Sequence, residues 1–413
     1  MIKIISSKKL FNENYLIFVF FLLVFKFNPR SYIGDQWANT LVELVIFISL
    51  IVVAVINKFS KIKVTKITVF LLTLTVVSQM LWIRIYFGNN IDYKEQFNLL
   101  LYLLFFVVIQ NLILQTQSIN KSRILNKISI IIFMNIIISI AAYLNSNIFS
   151  VFNIFFETTK TAIRGNSYQR FSGTFSNPNF FGVFFAVIAS CMLYNLISGT
   201  MKKIPALFFL LASLYLVNIS GSRSGLITFI CLGIVTILIS FLMNRKVRYD
   251  RNGYVVVAIF IIIFLSIILL LITSFQGSIS YDNFNTRFFN YENIKENLMG
   301  RVNMTLDALS AFTKNPILGV GNNEMHSSID NQYGKILMES GIIIFIIFII
   351  FLFYLLISRF ILFKKEENFA EKNIYFYTFI ATIALMINMF GAALFSVTQL
   401  TTLYFFLLAL NKK

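Results

Sequence analysis

The chain is poor in the residues on which soluble folds and metal centres depend. Its 413 residues include one histidine, two cysteines and four prolines, and charged residues make up only 13%, about half of the ~25% usual for soluble domains. A soluble globule and a disordered chain are therefore excluded. The two cysteines, Cys191 and Cys231, lie inside apolar runs, which indicates small residues that face the lipid or the core rather than a redox pair.

The sequence also lacks the patterns that hold metals and nucleotides. One histidine and two cysteines in apolar runs cannot make a zinc site. The carboxylates are dispersed, with no Asp-x-Asp pair to hold Mg²⁺ or Mn²⁺ on a nucleotide sugar, and no Walker or GxGxxG motif is present. We therefore expect no metal and no other cofactor, and a transferase that uses nucleotide sugars is disfavoured.

Long hydrophobic runs are what the chain has in abundance. Hydrophobic residues make up 58%, enough for roughly twelve membrane spans of ~20 residues each. We predict an all-α integral membrane protein that forms one polytopic membrane domain, residues 1–413. The apolar runs predict about twelve transmembrane helices, at 15–27, 38–56, 67–87, 97–114, 128–144, 180–197, 204–218, 226–243, 254–273, 341–363, 374–394 and 399–410.

The basic residues predict the orientation of these spans. With the N-terminus inside, the inner segments carry 21 Lys and Arg in 66 positions and the outer segments carry 11 in 132. The density of basic residues is therefore about four times higher in the inner segments, as the positive-inside rule predicts, and this places both termini in the cytoplasm. It also explains the net charge of +18 without nucleic acid as a partner. Two long outer loops follow, 145–179 and 274–340, the second between spans nine and ten.

The 274–340 loop has the pattern of a helical cap. Asn315-Pro316 is expected to end a first helix, the flexible turn Gly319-Val320-Gly321 follows, and a second short helix is predicted from about Asp330 to Ser340. Loops of this length are usually functional or disordered, and this one has an apolar helical face. That face is predicted from the spacing of Leu298, Val302, Leu306, Leu309 and Phe312.

Three arginines at helix ends or in outer loops are candidate anion ligands: Arg170, Arg223 and Arg301, the last of which opens the cap helix. A guanidinium group offers a planar, permanently charged fork of donors that suits phosphate. Ser222 and Ser224 flank Arg223 at the N-terminus of span eight, where a helix favours a bound anion. The alternative is a turn in which a serine caps the helix and the arginine reaches lipid headgroups. Similarly, Asn177-Pro178-Asn179 predicts a cap and a proline that opens span six.

The single histidine, His326, is the candidate acid–base residue of the cap. Its ordinary pKa of ~6.5 lets it take a proton near neutral pH without heavy tuning. Asp330, four residues later, is either a base or sugar ligand or the N-cap of the next helix. Lys335 and Glu339, also four apart, are expected to form a pair on a helix surface.

Three stretches, which follow one another between about residues 165 and 345, resemble the bacterial O-antigen ligase and polymerase superfamily in sequence and in order. The first runs from Arg170 to Gly182 and the second is Ser222-Arg223-Ser224-Gly225. The third runs from Arg301 through Asn315-Pro316-Ile317-Leu318-Gly319-Val320-Gly321 to Glu339-Ser340-Gly341-Ile342. The first 140 residues match only as spans.

The resemblance implies a metal-independent glycosyltransferase at the outer face of the cytoplasmic (inner) membrane. Its expected substrates are undecaprenyl-diphosphate-linked oligosaccharides, as donor and as acceptor. Outer-face arginines of this superfamily bind the diphosphate, which implies that role for Arg170, Arg223 and Arg301, and a loop residue activates the acceptor hydroxyl, which implies His326 or Asp330. Expected partners are the lipid bilayer, a flippase and a chain-length regulator.

We predict a polymerase of O-antigen or capsule repeat units, because this chain departs from the ligase pattern. Ligases tend to have His followed directly by Asn, whereas four residues separate His326 from Asn331 here. One alternative is an O-antigen ligase that moves the glycan to lipid A-core. Another, of a different class, is a repeat-unit flippase or other transporter. Transporters usually bury several ionisable groups mid-span, whereas the only clear mid-span charge in this sequence is Glu43, so this alternative is disfavoured.

Overall fold

The computed structural model describes residues 2–26, 35–56, 65–69, 72, 93–115, 120–156, 160–162, 169–175, 177–243, 299, 302–303, 306–307, 309–310, 312–320, 331–392, 394 and 398–411. This described part is about 86% helical. Its principal elements are α1 (Ile2–Val24), α2 (Asp35–Ile56), α3 (Tyr93–Gln115), α4 (Lys121–Leu144), α5 (Ser146–Phe156), β1 (Lys160–Ala162), β2 (Gln169–Phe171), α6 (Pro178–Ser198), α7 (Lys203–Ser220), α8 (Arg223–Met243), α9 (Gln332–Lys365), α10 (Phe369–Asn388) and α11 (Thr398–Ala409).

The helices confirm the predominantly α-helical character predicted from the sequence. One helix overlaps each predicted span except 254–273, which lies outside the described residues, and 67–87, most of which lies outside them. Among the described residues, five helices are long and apolar enough to cross a membrane. These are α4, α6, α7, α8 and α9. The count of about twelve spans stays a prediction.

Residues 1–157 and 304–413 form one compact unit, which we call unit 1. In it α1 packs against α4 and α11, α3 packs against α11, and α9 packs against α10. The Gln399 side-chain amide donates to the Leu23 carbonyl at 2.9 Å, so the start of α11 is tied to the last turn of α1. Aromatic rings fill the α1–α11 contact, where the centroids of Phe20 and Phe406 are 5.4 Å apart.

Three segments of unit 1 that are predicted to lie inside contact one another. Glu13 accepts from the Asn120 backbone N–H at 3.1 Å and lies 3.6 Å from the Arg123 guanidinium. Lys121, next in the chain, lies 3.7 Å from Glu371 at the start of α10. These contacts agree with a common side for the three segments, as the charge pattern predicts.

The one clear mid-span charge, Glu43, is neutralised within unit 1. The Lys26 ammonium, at the end of α1, donates to the Glu43 carboxylate at 2.8 Å. Glu43 is buried, and a buried carboxylate needs such a partner. The pair therefore explains how unit 1 accommodates this charge.

α9 is interrupted at Gly341, whose backbone has φ 75° and ψ 179°. In a continuous helix the Ile342 N–H would bond to the Met338 carbonyl. Here it donates to the Pro316 carbonyl at 2.9 Å, and Met338 accepts from the Val320 N–H at 2.8 Å. The Pro-Ile-Leu-Gly turn is thus bonded into the break, and the short helix predicted from Asp330 is the first part of α9, which begins at Gln332.

The described positions of the predicted cap helix are helical as far as Lys314. Asn315 then donates its N–H to the Phe312 carbonyl and accepts from the Gly319 N–H. This confirms the predicted stop at Asn315-Pro316. Leu298 and Arg301 lie outside the described residues.

The predicted loop 145–179 contains more structure than the sequence analysis recognised. α5, an eleven-residue apolar helix, begins it, and the ring centroids of its buried Phe152 and Phe156 lie 4.5 Å apart with the ring planes tilted. The strands β1 and β2 then form an antiparallel hairpin in which Thr161 pairs with Arg170. At eleven residues α5 is too short to cross a bilayer, so the loop does not add a span.

Residues 158–303 form the other compact unit, unit 2. Its described part has α6 at the centre, with α7 and α8 packed against it and the β hairpin beside α7. α6 is almost entirely buried, while α7 and α8 are each about half exposed. Because α7 runs antiparallel to its neighbours, the starts of α6 and α8 and the end of α7 lie at the same end of the unit.

Candidate anion-binding site

Arg170 connects three elements at this end of unit 2. Its guanidinium donates from Nε to the Ser220 carbonyl at 3.4 Å and from Nη2 to the Asn179 amide oxygen at 2.5 Å. Ser220 is the last residue of α7 and Asn179 lies in the first turn of α6. The strand residue Arg170 is thereby fixed to both helix ends.

The chain between Arg170 and α6 is shaped by a glycine and a cap. Gly173 has φ +55°, and a Cβ there would lie 2.0 Å from the Phe181 ring, so the turn closes only with glycine. Asn177 then caps α6 by accepting from the Asn179 N–H at 2.8 Å, and Pro178 opens the helix. The sequence prediction of a cap and an opening proline is confirmed.

The 220–225 loop forms the serine-capped turn that the sequence analysis gave as one of two interpretations. Gly221 ends α7 in the left-handed conformation. The Ser222 hydroxyl accepts from the Gly225 N–H at 2.9 Å, which is an N-cap of α8, and it lies 3.0 Å from the Ser224 hydroxyl. Ser222 is buried, whereas Arg223 and Ser224 are partly exposed. Ser222 therefore shapes the loop, and the flanking residues reach its surface.

The starts of α6 and α8 approach closely enough to require glycine on both helices. A Cβ on Gly182 would lie 2.8 Å from the Ser222 Cβ, and one on Gly225 would lie 2.9 Å from the Gly182 carbonyl carbon. Small residues allow such contacts between membrane helices. Each helix N-terminus carries a partial positive charge, so two of these charges lie side by side next to the arginines.

Carboxylates are missing from this part of the sequence. Between Glu157 and Asp250 the chain contains no Asp or Glu, while Arg170 and Arg223 are among its basic residues. No Asp or Glu is among the described residues of unit 2, so the two arginines, the two helix N-termini and the serine hydroxyls make its described part positive at this end, with hydrogen-bond donors. This arrangement suits a polyanion such as a diphosphate.

The structure brings some of the predicted site residues together. Arg170 is held at Ser220, two positions before Ser222, and the loop then presents Arg223 and Ser224. The remaining predicted residues, Arg301, His326 and Asp330, lie outside the described residues, and their roles stay predictions. Sequence reasoning missed Asn179 as a partner of Arg170, because an Asn after a proline at a helix start was fully explained as part of the cap.

Two predictions near α9 need correction. Asn331 is the N-cap of this helix, since its side chain accepts from the Tyr333 and Gly334 N–H groups, so the N-cap alternative for Asp330 is wrong. Lys335 and Glu339 do pair, at 3.8 Å, but Lys335 is 3% exposed, so they do not form a surface pair.

Part of the chain matches a known protein family. Residues 206–349 match the family model described as O-antigen ligase. This segment, about a third of the chain, is similar to that family. A search of curated proteins finds no match.

The domain match confirms the resemblance to the O-antigen ligase and polymerase superfamily. Its members are glycosyltransferase-like ligases or polymerases of polysaccharide or lipopolysaccharide biosynthesis. Together with the apolar helices, the match identifies an integral membrane protein. The matched range includes the Ser222–Gly225 loop and the Gly319–Gly341 junction, and it begins after Arg170.

Proposed function

We propose that this protein polymerises undecaprenyl-diphosphate-linked oligosaccharide repeat units into O-antigen or capsule. The reaction takes place at the outer face of the cytoplasmic membrane, and a flippase and a chain-length regulator are the expected partners. The observation that carries the proposal is the positive end of unit 2, where Arg170 is fixed beside the loop that bears Arg223. A lipid-linked donor presents a diphosphate of complementary charge.

In the proposed transfer the arginines stabilise the leaving group. The bond between the anomeric carbon and the diphosphate oxygen breaks, and negative charge grows on the diphosphate. Preorganised donors lower the barrier most where charge develops. Arg170, Arg223 and Ser224 supply such donors, and Arg301 is the further predicted ligand. The lipid tail remains in the bilayer.

The acceptor hydroxyl forms the new bond to the anomeric carbon and gives its proton to a base. His326 is our preferred base and Asp330 the alternative. Attack from the face opposite the diphosphate would invert the anomeric centre. The helix that ends at Lys314 belongs to the proposed cap, which would limit water at the sugars so that transfer exceeds hydrolysis.

A second candidate function is the ligase, which is favoured by the description of the matched family. It shares the donor and differs in the acceptor, lipid A-core. The spacing between His326 and Asn331 favours the polymerase. The transporter alternative is disfavoured by the sequence, because Glu43 is its only clear mid-span charge and transporters usually bury several such groups.

A deletion strain analysed for glycan length and lipid carrier separates the three functions. Loss of a polymerase should leave single repeat units on their final carrier. Loss of a ligase should leave long chains on the undecaprenyl lipid, and loss of a transporter should trap single units on the inner leaflet. Long lipid-linked chains in the deletion strain would overturn the polymerase proposal.

A further inference from the structure

We propose that Asn179 is a positioning residue that holds the Arg170 guanidinium without cancelling its charge. This inference rests on the proposed diphosphate site and adds a residue to it. Asn179 accepts from Nη2, while the Ser220 carbonyl accepts from Nε of the same guanidinium. Both acceptors are uncharged, so these two hydrogen bonds fix the guanidinium and do not themselves neutralise it.

The two bonds define the orientation of the guanidinium plane. Nε and Nη2 lie on the same edge of the planar group, and their acceptors belong to different helices, α7 and α6. A planar fork held at two points is preorganised, so less side-chain entropy is lost when an anion binds. The partly buried position of Arg170 strengthens this restraint.

The chemical identity of residue 179 matters more than its size. An aspartate in the same place would hold Arg170 with a charge-assisted bond, which is stronger than a neutral one. The resulting ion pair would, however, neutralise the cation. The absence of carboxylates between Glu157 and Asp250 fits the same requirement, because any acid near Arg170 would compete with the diphosphate.

The neighbouring Asn177 has a separate structural role and supplies the matched control. Its side chain accepts from the Asn179 backbone N–H and caps α6. Asn177→Ala removes the acceptor of the Asn179 backbone N–H but keeps the Asn179 side chain, which accepts from Arg170. A general effect of weakening the start of α6 should therefore appear in this variant.

The test compares stability and ligand affinity in Asn179→Asp, Asn179→Ala, Asn177→Ala and Arg170→Ala. Each purified full-length protein in lipid nanodiscs is titrated with farnesyl diphosphate, and its apparent Tm is measured. We expect Asn179→Asp to keep or raise the apparent Tm while its affinity falls about tenfold, the loss of one strong charged contact. Asn179→Ala should bind several-fold more weakly, and Asn177→Ala should lose stability but keep its affinity within twofold.

The opposite movement of stability and affinity in Asn179→Asp is the decisive readout, because a purely structural role would move both together. A fall in both quantities, or full affinity in both Asn179 variants while Arg170→Ala loses binding, overturns the positioning role and leaves the diphosphate site intact. Wild-type affinity in Arg170→Ala overturns the diphosphate site itself, and the inference about Asn179 with it.

Discussion

Arg223 occupies a helix position at which a basic residue is unfavourable. It is the first residue of α8, where the helix dipole is positive and a basic side chain costs about 0.3–1 kcal/mol. Local rules of this kind are most often broken at functional sites. The residue therefore combines a small structural cost with the chemistry expected of a diphosphate ligand.

We predict that Arg223→Ala abolishes chain growth while protein stability stays constant or rises slightly. Relief of the unfavourable dipole interaction explains the stability, and loss of a charged ligand explains the activity. Arg223→Lys should restore little, because lysine cannot make a two-pronged contact. Polymer length in cells and the apparent Tm of the purified variants check both parts.

Lys203 offers the matched control, since it is also the first residue of a helix, α7, but at the opposite end of unit 2. Lys203→Ala should relieve the same dipole interaction and leave polymer length unchanged. Full-length polymer in Arg223→Ala would contradict the assignment of this arginine.

His326 is expected to set the acid limit of activity. A base must be unprotonated, so with an ordinary pKa of ~6.5 chain growth should fall as the pH drops below about 6. His326→Ala should lose about 10²–10⁴ in rate. Rates measured from pH 5 to 8 for His326→Ala, His326→Gln and Asp330→Ala distinguish the two candidate bases, and near-wild-type rates in His326→Ala would transfer the role to Asp330.

At the scale of elements, the junction between the 315–320 turn and α9 depends on two reciprocal glycines. A Cβ on Gly319 would lie 2.4 Å from the Glu339 carbonyl oxygen, and one on Gly341 would lie 2.2 Å from the Ile317 carbonyl oxygen. Both glycines have positive φ, 74° and 75°. Neither backbone can move away while the two hydrogen bonds across the junction persist.

We predict that Gly341→Ala lowers stability by roughly 3 kcal/mol or more, because its φ and ψ lie in a region that only glycine populates readily and its Cβ has no space. Gly199→Ala is the matched control, with φ +67° and nothing within 4 Å of the added Cβ. It should cost only about 1 kcal/mol of backbone strain. Equal losses of apparent Tm in the two variants would contradict the tight junction.

The sequence predicted the elements better than the contacts between them. Apolar runs located the helices, and Asn177-Pro178 and Asn315-Pro316 located one helix start and one helix end, because these signals are local. The bond from Arg170 to Asn179, the Gly319–Gly341 junction and the Lys26–Glu43 pair depend on tertiary packing, which spacing along the chain does not encode. α5 was missed because its eleven residues, four of them Ser or Asn, are too few and too polar to be recognised as a membrane span.

For the whole molecule, the proposed reaction requires that the long loops lie on the outer face of the membrane. We predict that 274–340 lies outside. Single cysteines at Ser278 and Asn322, in a background without Cys191 and Cys231, should react with an impermeant thiol reagent in cells whose outer membrane alone is permeabilised. A cysteine at Glu367, in a predicted inner loop, should react only after the inner membrane is broken, and the reverse pattern would contradict the orientation.

If this chain itself joins lipid-linked repeat units, the purified protein should lengthen them without any other protein. The protein in nanodiscs receives synthetic undecaprenyl-diphosphate-linked repeat units and no other acceptor, metal or nucleotide, and product length is measured by mass spectrometry. A polymerase should give a ladder of lengthening chains with wild-type protein and with Lys203→Ala, and only single units with Arg223→Ala. Single units with wild-type protein, lengthened or transferred only when lipid A-core is added, would contradict the polymerase and identify a ligase.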